Sequence, residues 1–438
     1  MDGYYAFMLI ATAFVLMMTV PALALFYGGM SRSKSVLNMM MMSYVAAAIV
    51  GILYVAIGWS MGFGGDGTIF ANPFELLWLD GVSTGDYIFV MFQMTFAIIT
   101  AALISGAVAD RLKFSAWVVF VPLWAVIVYF PMAHMVFSCT DDSLICGRIG
   151  AQDYAGGTAV HINAGVAALV LVVLLGKRIG WPKEQMRPHN LTLTMLGAGL
   201  LWMGWYGFNV GSIVFGDDPE TQFPLETGRT FATTTLATMA AIIGWLVVER
   251  LLHKKATSLG AASGIVAGLV AITPATGAVN LSGAVAIGLI AGGVCAWAVG
   301  LKYKLGYDDS LDVVGVHLVG GIIGTILIGV FSTSEGAGGI DGLVYGGGFG
   351  SLGDQTLGAL VAVAYSGVLT LVIGLAIKYT IGLRLDEEDE VNGIDLAEHG
   401  ETAYDLHTSA SGGGKSVLAA STVSPAPVGK PSTEGANA

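Results

Sequence analysis

Two histidines stand where hydrogen-bond and proton chemistry could be done away from water. His161 and His317 each lie inside a long apolar stretch, and their surroundings match: Val160-His161-Ile162-Asn163-Ala164-Gly165 against Val316-His317-Leu318-Val319-Gly320-Gly321. Each follows an aspartate by eight residues, Asp153 and Asp309. A neutral imidazole carries one donor and one acceptor and titrates near neutrality, so a facing pair can hold a small polar molecule or pass a proton. An ionisable side chain inside an apolar span is a functional candidate by default. One buried histidine is more often a satisfied core residue, but a matched pair weakens that reading. A metal site is disfavoured, because two histidines without a suitably placed carboxylate or cysteine make a poor ligand set. His134 has no repeat partner and reads as structural.

The elements that must position these residues are membrane helices. The chain has 438 residues, 55% hydrophobic and 11% charged, with a mean hydropathy of +0.75. A soluble protein carries about 25% charged residues and could not cover its surface with so few. A crossing helix needs about 20 mostly apolar residues. Eleven stretches qualify, roughly 4–30, 37–62, 87–109, 115–138, 157–176, 191–215, 230–251, 261–276, 281–301, 311–331 and 355–380. The period-2 alternation of an outer-membrane barrel is absent. The expected fold is therefore an all-α integral membrane protein with eleven transmembrane helices. The histidines are five spans apart, an odd number, so the two copies run in opposite directions. That makes a 5+5 inverted repeat, whose interface near the midplane is where such folds place their substrate. Gly260, Gly264 and Gly268, and Gly288 and Gly292, are small-residue spacings that permit close helix packing.

Basic residues orient the chain. With the 31–36 loop in the cytoplasm, the inner loops hold fifteen Lys and Arg and the outer loops only Arg148 and Arg229. The N-terminus is then outside and the C-terminus cytoplasmic, in the plasma (cytoplasmic) membrane as a multi-pass protein. Fifteen acids fall on the outer face, which would attract cations and repel anions. A net charge of −12 argues against a nucleic-acid partner. Residues 1–384 form the expected transmembrane domain, 385–407 a cytoplasmic regulatory tail, and 408–438, rich in Ser, Gly, Ala and Pro, a disordered extension. Cys139 and Cys146 share an outer loop and could form a disulfide in an oxidising compartment. Cys295 reads as inert core.

The motifs are specific. Asp153-Tyr-Ala-Gly-Gly-Thr-Ala-Val-His161 resembles the signature of the ammonium transporter family (Amt/Mep/Rh), in its Amt/Mep branch. So do Gly204-Trp-Tyr-Gly-Phe-Asn-Val-Gly-Ser212, Gln93-Met-Thr-Phe96, Asp312-Val-Val-Gly-Val-His317 and Phe26-Tyr-Gly-Gly29, across about residues 4 to 407. The resemblance implies a homotrimer with a pore in each subunit and no enzyme activity or cofactor. It implies ammonium as substrate, with methylammonium as analogue, recruited outside by Phe96, Phe137 and Ser212. The cation would meet ring faces worth about 0.5–2 kcal/mol each. Phe137 departs from the family's usual tryptophan, which puts the strength of recruitment in doubt. Phe96 and Phe208 would stack as a gate, Trp205 would line the deeper pore, and Asp153 and Asp309 would cap helices. An ammonium ion in an apolar pore loses hydration that ring faces do not replace. It would therefore shed its proton near His161 and cross as ammonia past His317, with net electrogenic transport. The tail implies docking on a neighbouring subunit and control by a PII-type signal protein. An ammonium sensor with a transporter-like body and a neutral ammonia gas channel are the alternatives.

Overall fold

Backbone amides in lipid have no water to bond, so a spanning segment satisfies them within itself by coiling into a helix. The computed structural model describes residues 2–184, 186–215 and 218–404. Among these there is no β-strand, only the isolated bridges Leu112–Arg384 and Val279–Ser332. In chain order the long helices are α1 (Gly3–Met30), α2 (Val36–Phe63), α3 (Tyr87–Val108), α4 (Phe114–Phe137), α5 (Gly157–Leu175), α6 (Leu191–Val210), α7 (Pro219–His253), α8 (Ser258–Ile272), α9 (Leu281–Leu305), α10 (Val314–Phe331) and α11 (Gly350–Thr380). All but α6 and α8, nine among the described residues, are long and apolar enough to cross a membrane. In α6 the glycines, Trp202, Trp205 and Tyr206 dilute the apolar content. At 15 residues α8 reaches only about 22 Å, short of a hydrocarbon core of about 30 Å.

Several boundaries differ from the sequence reading by three to five residues, among them the start of α11 at Gly350 and the end of α6 at Val210, and the start of α7 differs by more. The seventh stretch was expected from 230, but α7 begins at Pro219. Its polar first turns carry no apolar signal, yet Asp218 accepts from the Thr221 N–H and Pro219 opens the helix, a start built from capping chemistry. The eighth stretch was expected at 261–276. α8 starts three residues earlier, where Thr257 accepts from the Gly260 N–H, and ends before Thr273-Pro274.

Close crossings hold the bundle. Gly165, four residues after His161, lies where a β-carbon would sit 2.5 Å from the Leu318 backbone nitrogen. Gly321, four residues after His317, lies where one would sit 3.1 Å from the His161 β-carbon. The two histidine helices thus cross through the same motif position read in both directions. Gly288 and Gly292 of α9 would each put a β-carbon 2.1 Å from a carbonyl of α7, those of Ala237 and Ala241, so the small-residue spacings do pack helices. After α11 the chain returns along the basic face. Leu385 donates to the Arg111 carbonyl, and the short helices α12 (Glu387–Asn392) and α13 (Ile394–His399) follow. Residues through Ala403 belong to one compact unit. The expected extension from 408 lies outside the described residues.

Candidate functional site

His161 and His317 meet. Their Nδ1 atoms are 3.2 Å apart, with ring centroids at 5.3 Å and planes inclined by 27°. Each sits in a wide helical turn at the start of its helix, residues 157–162 in α5 and 314–318 in α10. Such turns widen the backbone where a side chain must be aimed. The two residues are 1% and 4% exposed. One proton serves the Nδ1 contact, so one ring donates and the other accepts. Two neutral rings arranged this way present one Nε2 acceptor and one Nε2–H donor. The Nε2 of His161 is buried with no protein partner.

The surrounding cavity is narrow and apolar. Its walls include Met18, Leu23, Phe26, Ile99, Leu103 and Trp205 as well as both histidines, and its water-sized space is about 10 Å³, about one water molecule's worth. Phe208 of α6 closes one end over Phe96 of α3. Their rings stack flat, 4.0 Å apart and 11° inclined, and both are buried. Phe208 also lies 6.2 Å from the His161 ring. Phe137, at the end of α4 and partly exposed, meets Phe96 edge-on at 6.3 Å. Ser212 donates its hydroxyl proton to the Phe208 carbonyl at 2.8 Å, which leaves its lone pairs to accept. Phe137, Phe96 and Phe208 thus follow one another toward His161. Trp205 lies 23° from parallel to the His161 ring at 5.5 Å, and its indole N–H donates to the Thr273 hydroxyl at 2.8 Å.

Both aspartates cap the helices that carry the histidines. Asp153 accepts from the N–H groups of Gly156, Gly157, Thr158 and Ala159 at 2.7–3.2 Å. Asp309 accepts from Val313 at 3.1 Å and Val314 at 2.7 Å. Burial raises both carboxyls above the usual range. The N–H bonds pull against that rise, and for Asp309 so does the charge of Lys302. His134 is fully buried, with ring nitrogens 3.0 Å from the Gly62 carbonyl and 2.7 Å from the Gly67 carbonyl. The sulfurs of Cys139 and Cys146 lie within bonding distance, 1.99 Å, and Cys295 is a buried free thiol.

Several residues of the site carry no motif that sequence reasoning singled out. Thr273 closes α8 and reaches Trp205 across 68 positions. Glu226, in the polar start of α7, accepts from Tyr154 beside the Asp153 cap at 2.6 Å. At the basic face Arg178 bonds Asp308 at 2.8 and 2.9 Å and Asp110 at 3.1 Å. Burial would raise Asp308, but the bonds and charge of Arg178, with Arg111, hold its carboxyl below the usual range. The tail meets this face in its own chain. Glu390 accepts from Arg384 and from the Ile179 N–H, both at 2.7 Å. Asp395 accepts from the N–H groups of Leu37 and Asn38 at the start of α2. The only sequence signal for these contacts was charge at helix ends.

Membrane-length helices packed around an apolar, two-imidazole cavity describe a multi-span membrane protein. Comparison with known proteins makes the class narrower. The sequence model described as Ammonium Transporter Family matches residues 6–404. A protein named "Ammonium transporter" from Mycobacterium bovis is 53% identical, covering 92% of this chain and 90% of its own. Among solved structures, one titled "Sensor Amt Protein" superposes with a TM-score of 0.82 at 28% identity, covering 90% of this chain and 98% of its own. Saccharomyces cerevisiae Mep2 superposes at 0.78 with 31% identity and 88% of each chain covered. The chain belongs to the ammonium transporter family.

Proposed function

We propose that this protein recruits ammonium at its acidic face, strips a proton from it, and conducts ammonia past the twin histidines. The observation that carries the reading is the His161–His317 contact at 3.2 Å inside an apolar cavity behind two stacked phenylalanines. Phe96, Phe137 and Ser212 form the recruitment site, with Ser212 accepting from the ion and the rings offering their faces. Phe96 and Phe208 are the gate. A cavity this apolar penalises a charged occupant heavily, and loss of the proton removes most of the penalty. Ammonia then finds at the Nε2 atoms one acceptor and one donor. Potassium has no proton to lose and is excluded.

Transport is net electrogenic, with the proton following the histidines. The working assembly is a homotrimer of eleven-span subunits in a 5+5 inverted repeat, N-terminus outside and C-terminus cytoplasmic, in the plasma membrane. Supporting the repeat are the matched aspartate caps, the matched wide turns and the reciprocal glycine contacts of α5 and α10. Residues 385–407 are a regulatory tail that a PII-type protein can engage. The test is current in proteoliposomes given pulses of ammonium, methylammonium and potassium. Ammonium and methylammonium currents without a potassium current are expected. No ammonium-dependent current or flux in intact protein would sink the reading.

A further inference from the structure

Trp205 covers one side of His161, but an indole is not wholly apolar. Its N–H is a donor that a buried ring must satisfy. The cavity wall holds few acceptors for it beyond the imidazoles, and the Nε2 of His161 has no protein partner. The indole N–H goes elsewhere, to Thr273 Oγ1 at 2.8 Å. Thr273 is fully buried at the end of α8. Its own proton goes to the Leu269 carbonyl at 2.7 Å, with Asn209 Oδ1 at 3.3 Å. Asn209 is tied in turn to Thr234 at 3.0 Å, and Thr234 to Thr276 at 3.1 Å. The hydroxyl is thus held in an orientation that leaves a lone pair for the indole. The next residue packs against the start of α5: the Pro274 ring fills the space beside Gly157, and its carbonyl accepts from Tyr154 N–H at 3.1 Å.

We propose that Thr273 is a positioning residue, whose hydroxyl keeps the Trp205 indole flat on His161 and its N–H away from the imidazole acceptor. Without it the N–H would lose its acceptor in a wall whose other acceptors are the imidazoles, and the indole would turn off the His161 face to seek one. The functional half of this inference rests on the transport reading above, but the bond itself does not.

The test joins flux to spectroscopy. In proteoliposomes, T273V is expected to lower the maximal ammonium current about tenfold, in keeping with one misdirected hydrogen bond. Its half-saturating concentration should stay near that of the unsubstituted protein, because the recruitment residues are untouched. T273S should restore the current. Ultraviolet resonance Raman, with W205F used to subtract the other indoles, reads the Trp205 N–H directly. It should be strongly bonded in the unsubstituted protein and in T273S, and altered in T273V. A T273V protein with unchanged current and unchanged spectrum overturns the proposal. So does an unbonded Trp205 N–H in the unsubstituted protein, which decides the matter even where T273V fails to fold. An unsubstituted protein with a bonded indole and no ammonium flux would refute the transport reading while leaving the bond intact.

Discussion

Phe137 meets Phe96 edge-on at the end of the aromatic path, beyond Phe96 from Phe208. A phenyl face attracts a cation less than an indole face, in a contact worth about 0.5–1 kcal/mol in all at an exposed site. Replacing Phe137 with Trp is expected to tighten apparent ammonium affinity two- to fivefold (about) in concentration-dependent current, with the maximal current unchanged. The histidines behave differently, because they act as a unit. H161A together with H317A should abolish discrimination of ammonium from potassium while the purified protein remains folded. The check is the ratio of the two currents, and an unchanged ratio would refute the twin-histidine mechanism. Ser212 needs no such dissection. Its hydroxyl proton is already committed to the Phe208 carbonyl, so any ligand it binds must be a donor, as ammonium is.

Among the elements, α5 and α10 depend on their crossing. A side chain at Gly165 would have to occupy the place of the Leu318 backbone, and backbone cannot rotate away as a side chain can. G165V should therefore destabilise the protein by about 3 kcal/mol or more, read as a lower melting temperature in detergent. The tail offers a gentler case. Asp395 satisfies two N–H groups at the start of α2 from 357 and 358 residues away. Losing such a cap costs about 1 kcal/mol, so D395A should speed hydrogen exchange at Leu37 and Asn38 while leaving the middle of α2 protected. These elements also show what was legible in the sequence. Apolar length gave the helices, and the paired His161 and His317 motifs gave the contact at the centre. The starts of α7 and α8 were misplaced because Asp218 and Thr257 are polar and a hydropathy reading passes over them. Thr273 went unread because its partner is distant in sequence and nothing local distinguishes a threonine that bonds an indole from one that merely ends a helix. The Arg178–Asp308–Asp110 cluster was visible only as charge, since sequence cannot say which charges meet.

Among the described residues the ion pairs lie in loops and at helix ends rather than in the middle of the long helices. At the basic face Arg178 and Asp308 are both buried. Removing one partner strands the other, so R178A should cost about 3–5 kcal/mol, seen in thermal melting. The pair also sets a pH dependence. Asp308 is held below the usual carboxylate range, so its contribution is complete above the unfolded value near pH 4 (about) and is lost as pH falls through the lower folded value. Asp153 and Asp309, raised by burial, act oppositely. Their contribution is complete below the unfolded value and fades as pH rises through the folded one. Melting curves between pH 7 and pH 3 should show the acid loss in the unsubstituted protein and less of it in D308N. At the molecule's centre the single proton between the two Nδ1 atoms gives the pair a memory. A proton that enters at one bare Nε2 drives the shared proton across and ejects another from the far Nε2, and both tautomers are left inverted. The entry side then carries N–H and refuses a second proton until the pair is turned back. On the proposed function, ammonia slipping past would leave the setting untouched. On that same proposed function, the pair would work as a turnstile for protons, with one reset for each passage, and as an open door for the neutral molecule.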